Sequence, residues 1–204
     1  MQIDGASSRL RDPAGQTTDS APGSALPTVT LVLGGARSGK SRWAQRFVTE
    51  HYERPLYLAT AEPGDDEMRE RIRHHREARG PEWQTVEEPL DIAGVLTDTA
   101  LGAGVVLVDC LTLWLTNVML KLGGEHFASR RDALVAALSA PARPVVLVSN
   151  EVGMGLVPES ALGREFRDLA GWLNQAVAHV ADLVVFVVAG QPLAIKGRLP
   201  EEPQ

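Results

Sequence analysis

The sequence has a single cysteine in 204 residues, Cys110. No internal disulfide framework can form, and one thiol suits a reducing cytoplasm. Excess positive charge is missing too. Twenty Lys and Arg stand against 26 Asp and Glu, a net charge of -6 and a pI near 5.4. That balance argues against a broad electrostatic footprint for nucleic acid and leaves room for a local anion site. No apolar run approaches the ~20 residues of a membrane span. The first 27 residues, "MQIDGASSRLRDPAGQTTDSAPGSALP", hold no apolar signal-peptide core. They are polar and rich in Gly, Ser and Pro, and read as a disordered leader that buries too little surface to offset its ordering entropy. The N-K-x-D tetrapeptide by which small GTPases specify guanine is absent as well. If guanine is bound, something else reads it.

What is present is a set of short, β-branched apolar runs: "TVTLVL" (28–33), "PLYLAT" (55–60), "GVVLVDC" (104–110), "PVVLVSN" (144–150) and "LVVFVVAG" (183–190). None alternates cleanly with polar residues, which suits strands covered on both faces, as in a parallel sheet. Helical patterns separate them. "SRWAQRFVTEHY" follows the first run and "DDEMRERIRHHREAR" the second, while 161–182 places Leu162, Phe166, Leu169, Leu173, Ala176 and Val180 at helical spacing. Strand–helix alternation predicts right-handed βαβ units in a doubly wound, mostly parallel α/β sheet. "VVAGQPLAIKG" predicts a terminal hairpin with a short antiparallel edge strand. The organisation expected is a leader (1–27), one P-loop domain (28–197) and a tail (198–204).

"LVLGGARSGKSRWA" carries Gly34, four residues, then Gly39, Lys40 and Ser41, the G-x-x-x-x-G-K-[ST] pattern between a strand and a helix. Glycines let backbone N–H groups curl around phosphate oxygens at a positive helix N-terminus. Lys40 then reaches the β- and γ-phosphates, and the Ser41 hydroxyl binds Mg²⁺. Such a loop needs an acid at the tip of a neighbouring strand to orient the metal and its water. Asp109, ending "VVLVD", is the candidate, since a carboxylate there is costly without a cation; its competing role is an N-cap for "LTLWLTN". Glu151, ending the next strand, is a weaker second acid. With little basic charge and no repeats, the classes left are small-molecule kinase or nucleotidyl transferase.

On a helix over "EMRERIRHHREAR", Met68, Ile72, His75 and Arg79 form one stripe, and His74 points away. Arg76 and Arg79 flank His75 as a clamp for a triphosphate. A neutral imidazole is a competent nucleophile towards an α-phosphate, and neighbouring guanidiniums hold it neutral at pH 7. A solvated surface helix with incidental histidines fits the same spacing. Spacing alone leaves both readings open.

Taken together, "GGARSGKSR", "YLAT", "DDEMRERIRHHREAR", "VDCLTLWLTN", "SNEVGMGLVPES" and "REFRDLAGWLNQ" resemble the bifunctional adenosylcobinamide kinase / adenosylcobinamide-phosphate guanylyltransferase family of coenzyme B12 assembly, from about Val29 to Lys196. The resemblance implies two reactions. ATP or GTP phosphorylates adenosylcobinamide. GTP then guanylylates an enzyme histidine, matched by His75, and the GMP passes to the substrate phosphate. It also implies nucleotide contacts at Gly34, Gly35, Ala36, Arg37, Ser38, Gly39, Lys40 and Ser41, at Thr60, Ala61 and Glu62, and at Arg76, Glu77, Ala78 and Arg79. Glu87 is implied as a purine or ribose contact, and Asp109 stands where several relatives carry Glu. Catalysis falls to His75 and Lys40, with Mg²⁺ on Ser41 and Asp109. The family's ring-shaped trimers imply a homo-oligomer, with no nucleic acid and no membrane span.

"NEVGMGLVPES" reads either as a glycine-rich connection capped by Ser160 or as a loop over the corrinoid or phosphate site with Met154 as an apolar contact. Trp43, Trp114 and Trp172 read as core or subunit contacts. Two alternatives compete with the two-step enzyme. One is a P-loop kinase whose histidine never becomes covalent. The other, from a different class, is a nucleotide-dependent regulatory ATPase or GTPase.

Overall fold

The computed structural model describes residues 25–62 and 79–201. The predicted helix over "DDEMRERIRHHREAR" therefore lies outside the described residues for all but its last position, Arg79, as does most of the predicted leader.

In chain order the elements are β1 (Val29–Gly34), α1 (Lys40–His51), β2 (Pro55–Ala59), β3 (Gln84–Glu87), α2 (Ile92–Thr97), β4 (Val105–Asp109), α3 (Leu111–Lys121), α4 (Phe127–Ser139), β5 (Val145–Asn150), α5 (Ala161–Val180), β6 (Leu183–Val188) and β7 (Gln191–Lys196), with two short 3₁₀ turns. They build one seven-stranded sheet in the order β3-β2-β4-β5-β1-β6-β7. The pairings from β3 to β6 are parallel, and β7 returns antiparallel on β6. This is the P-loop NTPase-like α/β sheet that the strand–helix alternation predicts, with the expected edge hairpin.

The unbroken apolar runs are explained by what covers them. Val29, Leu31, Leu56, Leu58, Val106, Val108, Val145 and Leu147 pack into one cluster beneath α2, α3, α4 and α5. Their alternates Val32, Tyr57, Val105, Leu107, Val146 and Val148 pack with Trp43, Ala44, Phe47 and Val48 of α1. Each strand thus buries both of its faces, as β-branched residues favour.

Three elements escaped the sequence reading: the six-residue α2, β3 and α4. β3 is short, its side chains are mostly exposed, and it lies at the sheet edge. α4 shows almost no amphipathic stripe, because Phe127, Leu134 and Leu138 are its only buried residues. A correction concerns Asp109. It was expected on a strand neighbouring β1, yet β5 lies between β4 and β1. Strand order follows from crossover connections, which residue patterns do not encode.

Trp43 and Trp114 are core residues, the indole N–H of Trp114 donating to the Leu90 carbonyl at 2.8 Å, whereas Trp172 is half exposed on α5. Ser160 caps α5 by accepting from the Gly163 N–H at 3.1 Å, and Met154 in the preceding loop is exposed.

Candidate functional site

The phosphate loop joins β1 to α1. Gly34 has no room for a side chain, since a Cβ there would stand 2.5 Å from Ser38 Oγ and 2.6 Å from the Val187 carbonyl oxygen. Gly39 sits at φ +96°, a left-handed conformation that glycine adopts without strain. The Gly190 N–H donates to the Ser38 carbonyl at 2.8 Å. Gly190 and Ala189 both have positive φ and form the two-residue turn of the β6–β7 hairpin, a type I′ geometry. The terminal hairpin therefore braces the loop from outside.

Lys40 opens α1, is 8% exposed, and its Nζ donates to the Gly35 carbonyl at 3.1 Å. Ser38 Oγ is buried without a hydrogen-bond partner. Such a hydroxyl carries a desolvation cost until an acceptor such as a phosphate oxygen reaches it. A glycine-permitted curl, a helix N-terminus, a tethered ammonium and an unsatisfied hydroxyl together make an anion cradle.

The strands from β3 to β1 run parallel, so their C-terminal tips share one edge, where α/β sheets bind ligands. Along it stand Glu87, Ala59 with Thr60 beyond, Asp109, Asn150 and Gly34. By register, Asp109 shares the α1 face with Leu107, and Asn150 shares it with Val148. The capping role that competes for Asp109 is not the one it fills. Cys110 occupies the N-cap of α3, and no side chain caps that helix. Glu87, exposed at the tip of β3, is four strand intervals from Gly34, roughly 19 Å at the usual strand spacing. The loop and Glu87 are thus at opposite ends of one edge.

Thr60 is fully buried, and its hydroxyl has a structural duty. It donates to the Cys110 carbonyl at 2.8 Å and accepts from the Cys110 N–H at 2.9 Å. The Thr60 carbonyl accepts from Asn117 Nδ2 at 2.8 Å. Ala61 follows without regular structure, and Glu62 pairs with Lys121 at the surface. Burial above all, then the Asp109 carboxylate, pushes the Cys110 thiol up to about 11, against the Thr112 and Leu113 N–H groups and the Lys40 ammonium.

Arg79 lies over the Tyr57 ring, its guanidinium carbon 3.5 Å from the centroid. Burial first, then Asp109, holds the Tyr57 phenol well above its usual range. His74, His75, Arg76, Glu77 and Ala78 lie outside the described residues. Glu151 extends the edge, its N–H donating to the Gly34 carbonyl at 3.0 Å while its carboxylate accepts from the Gly153 N–H at 2.6 Å.

The sequence reading passed over Tyr57 and Asn150. Asn150 is held from both sides: its N–H donates to Thr112 Oγ1 at 2.7 Å, and its carbonyl accepts from Asn174 Nδ2 at 3.2 Å. The polar ending "VSN" of an otherwise apolar strand was the available signal, and it gains meaning only once β5 is known to lie beside β1.

The pattern of the family described as cobinamide kinase / cobinamide phosphate guanyltransferase matches residues 30–195. The bifunctional adenosylcobalamin biosynthesis protein CobP of Pseudomonas aeruginosa is 47% identical over 167 residues, 82% of this chain and 96% of that protein. The bifunctional adenosylcobalamin biosynthesis protein CobU of Salmonella typhimurium is 41% identical over 179 residues, 81% of this chain and 98% of that one. Among solved structures, an ATPase from a type III secretion system superposes with TM-score 0.48 at 12% identity, covering 82% of this chain and 56% of its own, too slight a likeness to support a conclusion.

Proposed function

The chain belongs to the cobinamide kinase / cobinamide phosphate guanyltransferase family, and on that premise we propose that it phosphorylates adenosylcobinamide and then converts the product to adenosylcobinamide-GDP through a GMP–histidine intermediate on His75. The family match across 30–195, spanning both the phosphate loop and the His74–His75 sequence, is the observation that carries this reading.

In the first reaction a substrate hydroxyl oxygen attacks the γ-phosphorus of ATP or GTP. A new O–P bond forms, the β,γ-bridging P–O bond breaks, the nucleoside diphosphate leaves and the hydroxyl proton is released. Residues Gly34 to Ser41 cradle the phosphates, and Lys40 places positive charge where the bridging oxygen becomes negative. In the second reaction an imidazole nitrogen of His75 attacks the α-phosphorus of GTP, forming an N–P bond while pyrophosphate departs. An oxygen of the substrate phosphate then displaces the imidazole, closing the P–O–P linkage. Arg76 and Arg79 offset charge on the transferring group, and Ala61, Glu62, Glu77, Ala78 and Glu87 complete the nucleotide contacts. Thr60 contributes by holding the tips of β2 and β4 together, and its carbonyl already has a partner in Asn117.

Among the described residues no three His, Cys, Asp or Glu side chains cluster as an all-protein metal cage. Mg²⁺ is commonly held by one or two protein oxygens together with substrate phosphates. Ser41, at the start of α1, and Asp109, half-buried at the tip of β4, are the oxygen donors that fit it. Mg²⁺ bound with the nucleotide supplies charge neutralisation across the phosphate oxygens.

Exposed Leu193 and Ile195 on edge strand β7 support a homo-oligomer, which light scattering of the purified chain checks; a monomer at all concentrations contradicts it. The activity is tested by supplying adenosylcobinamide, Mg²⁺ and either nucleotide and separating the corrinoid products. The reading requires both a monophosphate and a GDP derivative. Monophosphate alone leaves only the kinase, and neither product removes the assignment. Lys40→Ala is expected to abolish the first product, and its persistence would place phosphoryl transfer at another site.

A further inference from the structure

Tyr57 lies on β2 between two groups that the proposed reactions need, and the phosphate loop does not account for it. It pairs with Leu107 in register, while Ala59 pairs with Asp109. Tyr57 and Asp109 are thus diagonal neighbours on the same face of adjoining strands, a separation that a tyrosine side chain spans. The ring is 6% exposed among α1-side core residues, with the Trp83 ring edge-on at 6.3 Å. Burial first, and then the nearby Asp109 carboxylate, raise the pKa of the Tyr57 phenol. Its opposite resource, the π face, is covered by the Arg79 guanidinium at 3.5 Å, and Arg79 Nη1 is buried with no hydrogen-bond partner. A buried guanidinium nitrogen with an unused donor is costly until an anion accepts from it.

We propose that Tyr57 is a positioning residue that joins the two halves of the nucleotide site. Its hydroxyl orients the Asp109 carboxylate towards Mg²⁺, and its ring holds Arg79 with one guanidinium donor left for a nucleotide phosphate. The inference rests on the reading of Asp109 as a metal-binding residue. A carboxylate has two oxygens, and fixing one by a phenol O–H leaves the other aimed at the cation and its water. Partners of this kind change metal affinity by about 10–100-fold when removed. Flat stacking keeps Arg79 in one orientation without using any of its N–H groups, so none of its donors is consumed by the protein.

Tyr57→Phe separates the two tasks, because it removes the hydroxyl and keeps the ring under Arg79. Binding of a non-hydrolysable GTP analogue is followed by calorimetry across a Mg²⁺ titration, in wild type, Tyr57→Phe, Asp109→Asn and the double variant. The half-saturating Mg²⁺ concentration is expected to rise about tenfold in Tyr57→Phe. Binding in EDTA should stay within about twofold of wild type, and the double variant should be no worse than Asp109→Asn alone. A shift below twofold in Tyr57→Phe beside a large one in Asp109→Asn overturns the inference and leaves the metal site standing. No shift in Asp109→Asn overturns the metal assignment itself. A purely structural Tyr57 lowers the melting temperature and leaves the Mg²⁺ midpoint in place.

A measurement on the unsubstituted chain covers the case in which Tyr57→Phe does not fold. The sequence has two tyrosines, Tyr52 and Tyr57. Fluorotyrosine labelling therefore gives two ¹⁹F resonances, assigned with Tyr52→Phe. Mg²⁺ added to the analogue complex is expected to move the Tyr57 line and to leave it unmoved in Asp109→Asn. A Tyr57 line insensitive to Mg²⁺ in the wild-type chain refutes the positioning role.

Discussion

Replacing Thr60 by valine tests how the site's floor is held. The side chains are nearly isosteric, so the change removes the hydroxyl and little volume. That hydroxyl makes two hydrogen bonds, 2.8 Å to the Cys110 carbonyl and 2.9 Å from the Cys110 N–H. Thr60 is fully buried and Cys110 is 7% exposed, so water does not replace the lost partners. Stranding a buried donor or acceptor costs about 1–3 kcal/mol. Two such groups, with partial relaxation, give a loss of about 2–4 kcal/mol. For a chain of this size that lowers the melting temperature by roughly 4–16 °C. Urea denaturation followed by tryptophan fluorescence measures it, and the midpoint should fall without a change in slope. Thr60→Ser keeps the hydroxyl and should recover most of the loss. If Thr60→Val costs under about 0.5 kcal/mol yet nucleotide affinity collapses, then the hydroxyl serves the ligand and not the β2–β4 junction, and the structural reasoning is wrong.

Gly39→Ala forces a side chain into a φ of +96° and sets its Cβ 3.2 Å from Gly190 Cα. Strain of this kind costs about 1–3 kcal/mol, so nucleotide affinity should fall at least about fivefold by calorimetry; unchanged affinity would mean that the loop does not bind phosphate in this conformation. The Cys110 thiol, raised to about 11 by burial and by Asp109, stays protonated at neutral and mildly alkaline pH. Native alkylation at pH 8 should then be at least a hundredfold slower than in urea and should climb only as the pH approaches 11. A native rate matching the unfolded rate at pH 8 would show the thiol to be solvated and unperturbed.

Much of the fold was legible because unbroken β-branched runs signal strands buried on both faces, and the two faces of β1, β2, β4 and β5 fill two separate clusters. The phosphate loop was legible for a different reason: only glycine meets the demands of positions 34 and 39, so the chemistry of the turn is written in residue identity. The order of the strands was not legible. Asp109 could be picked out as a costly carboxylate at a strand end, but not as two strands removed from β1. Asn150 and Tyr57 were missed for the same reason, since each matters through a neighbour on another strand. Thr60 illustrates the converse. Its place in the family pattern suggests a ligand contact, while its hydroxyl is spent on Cys110.

The most direct test of the central claim compares GTP labelled on the α-phosphate with GTP labelled on the γ-phosphate, each incubated with the chain and Mg²⁺ and then denatured. A phosphoramidate on His75 predicts acid-labile, alkali-stable label from the α position only, lost in His75→Ala and retained in His74→Ala. No α-label on the wild-type chain, or full label on His75→Ala, would contradict it.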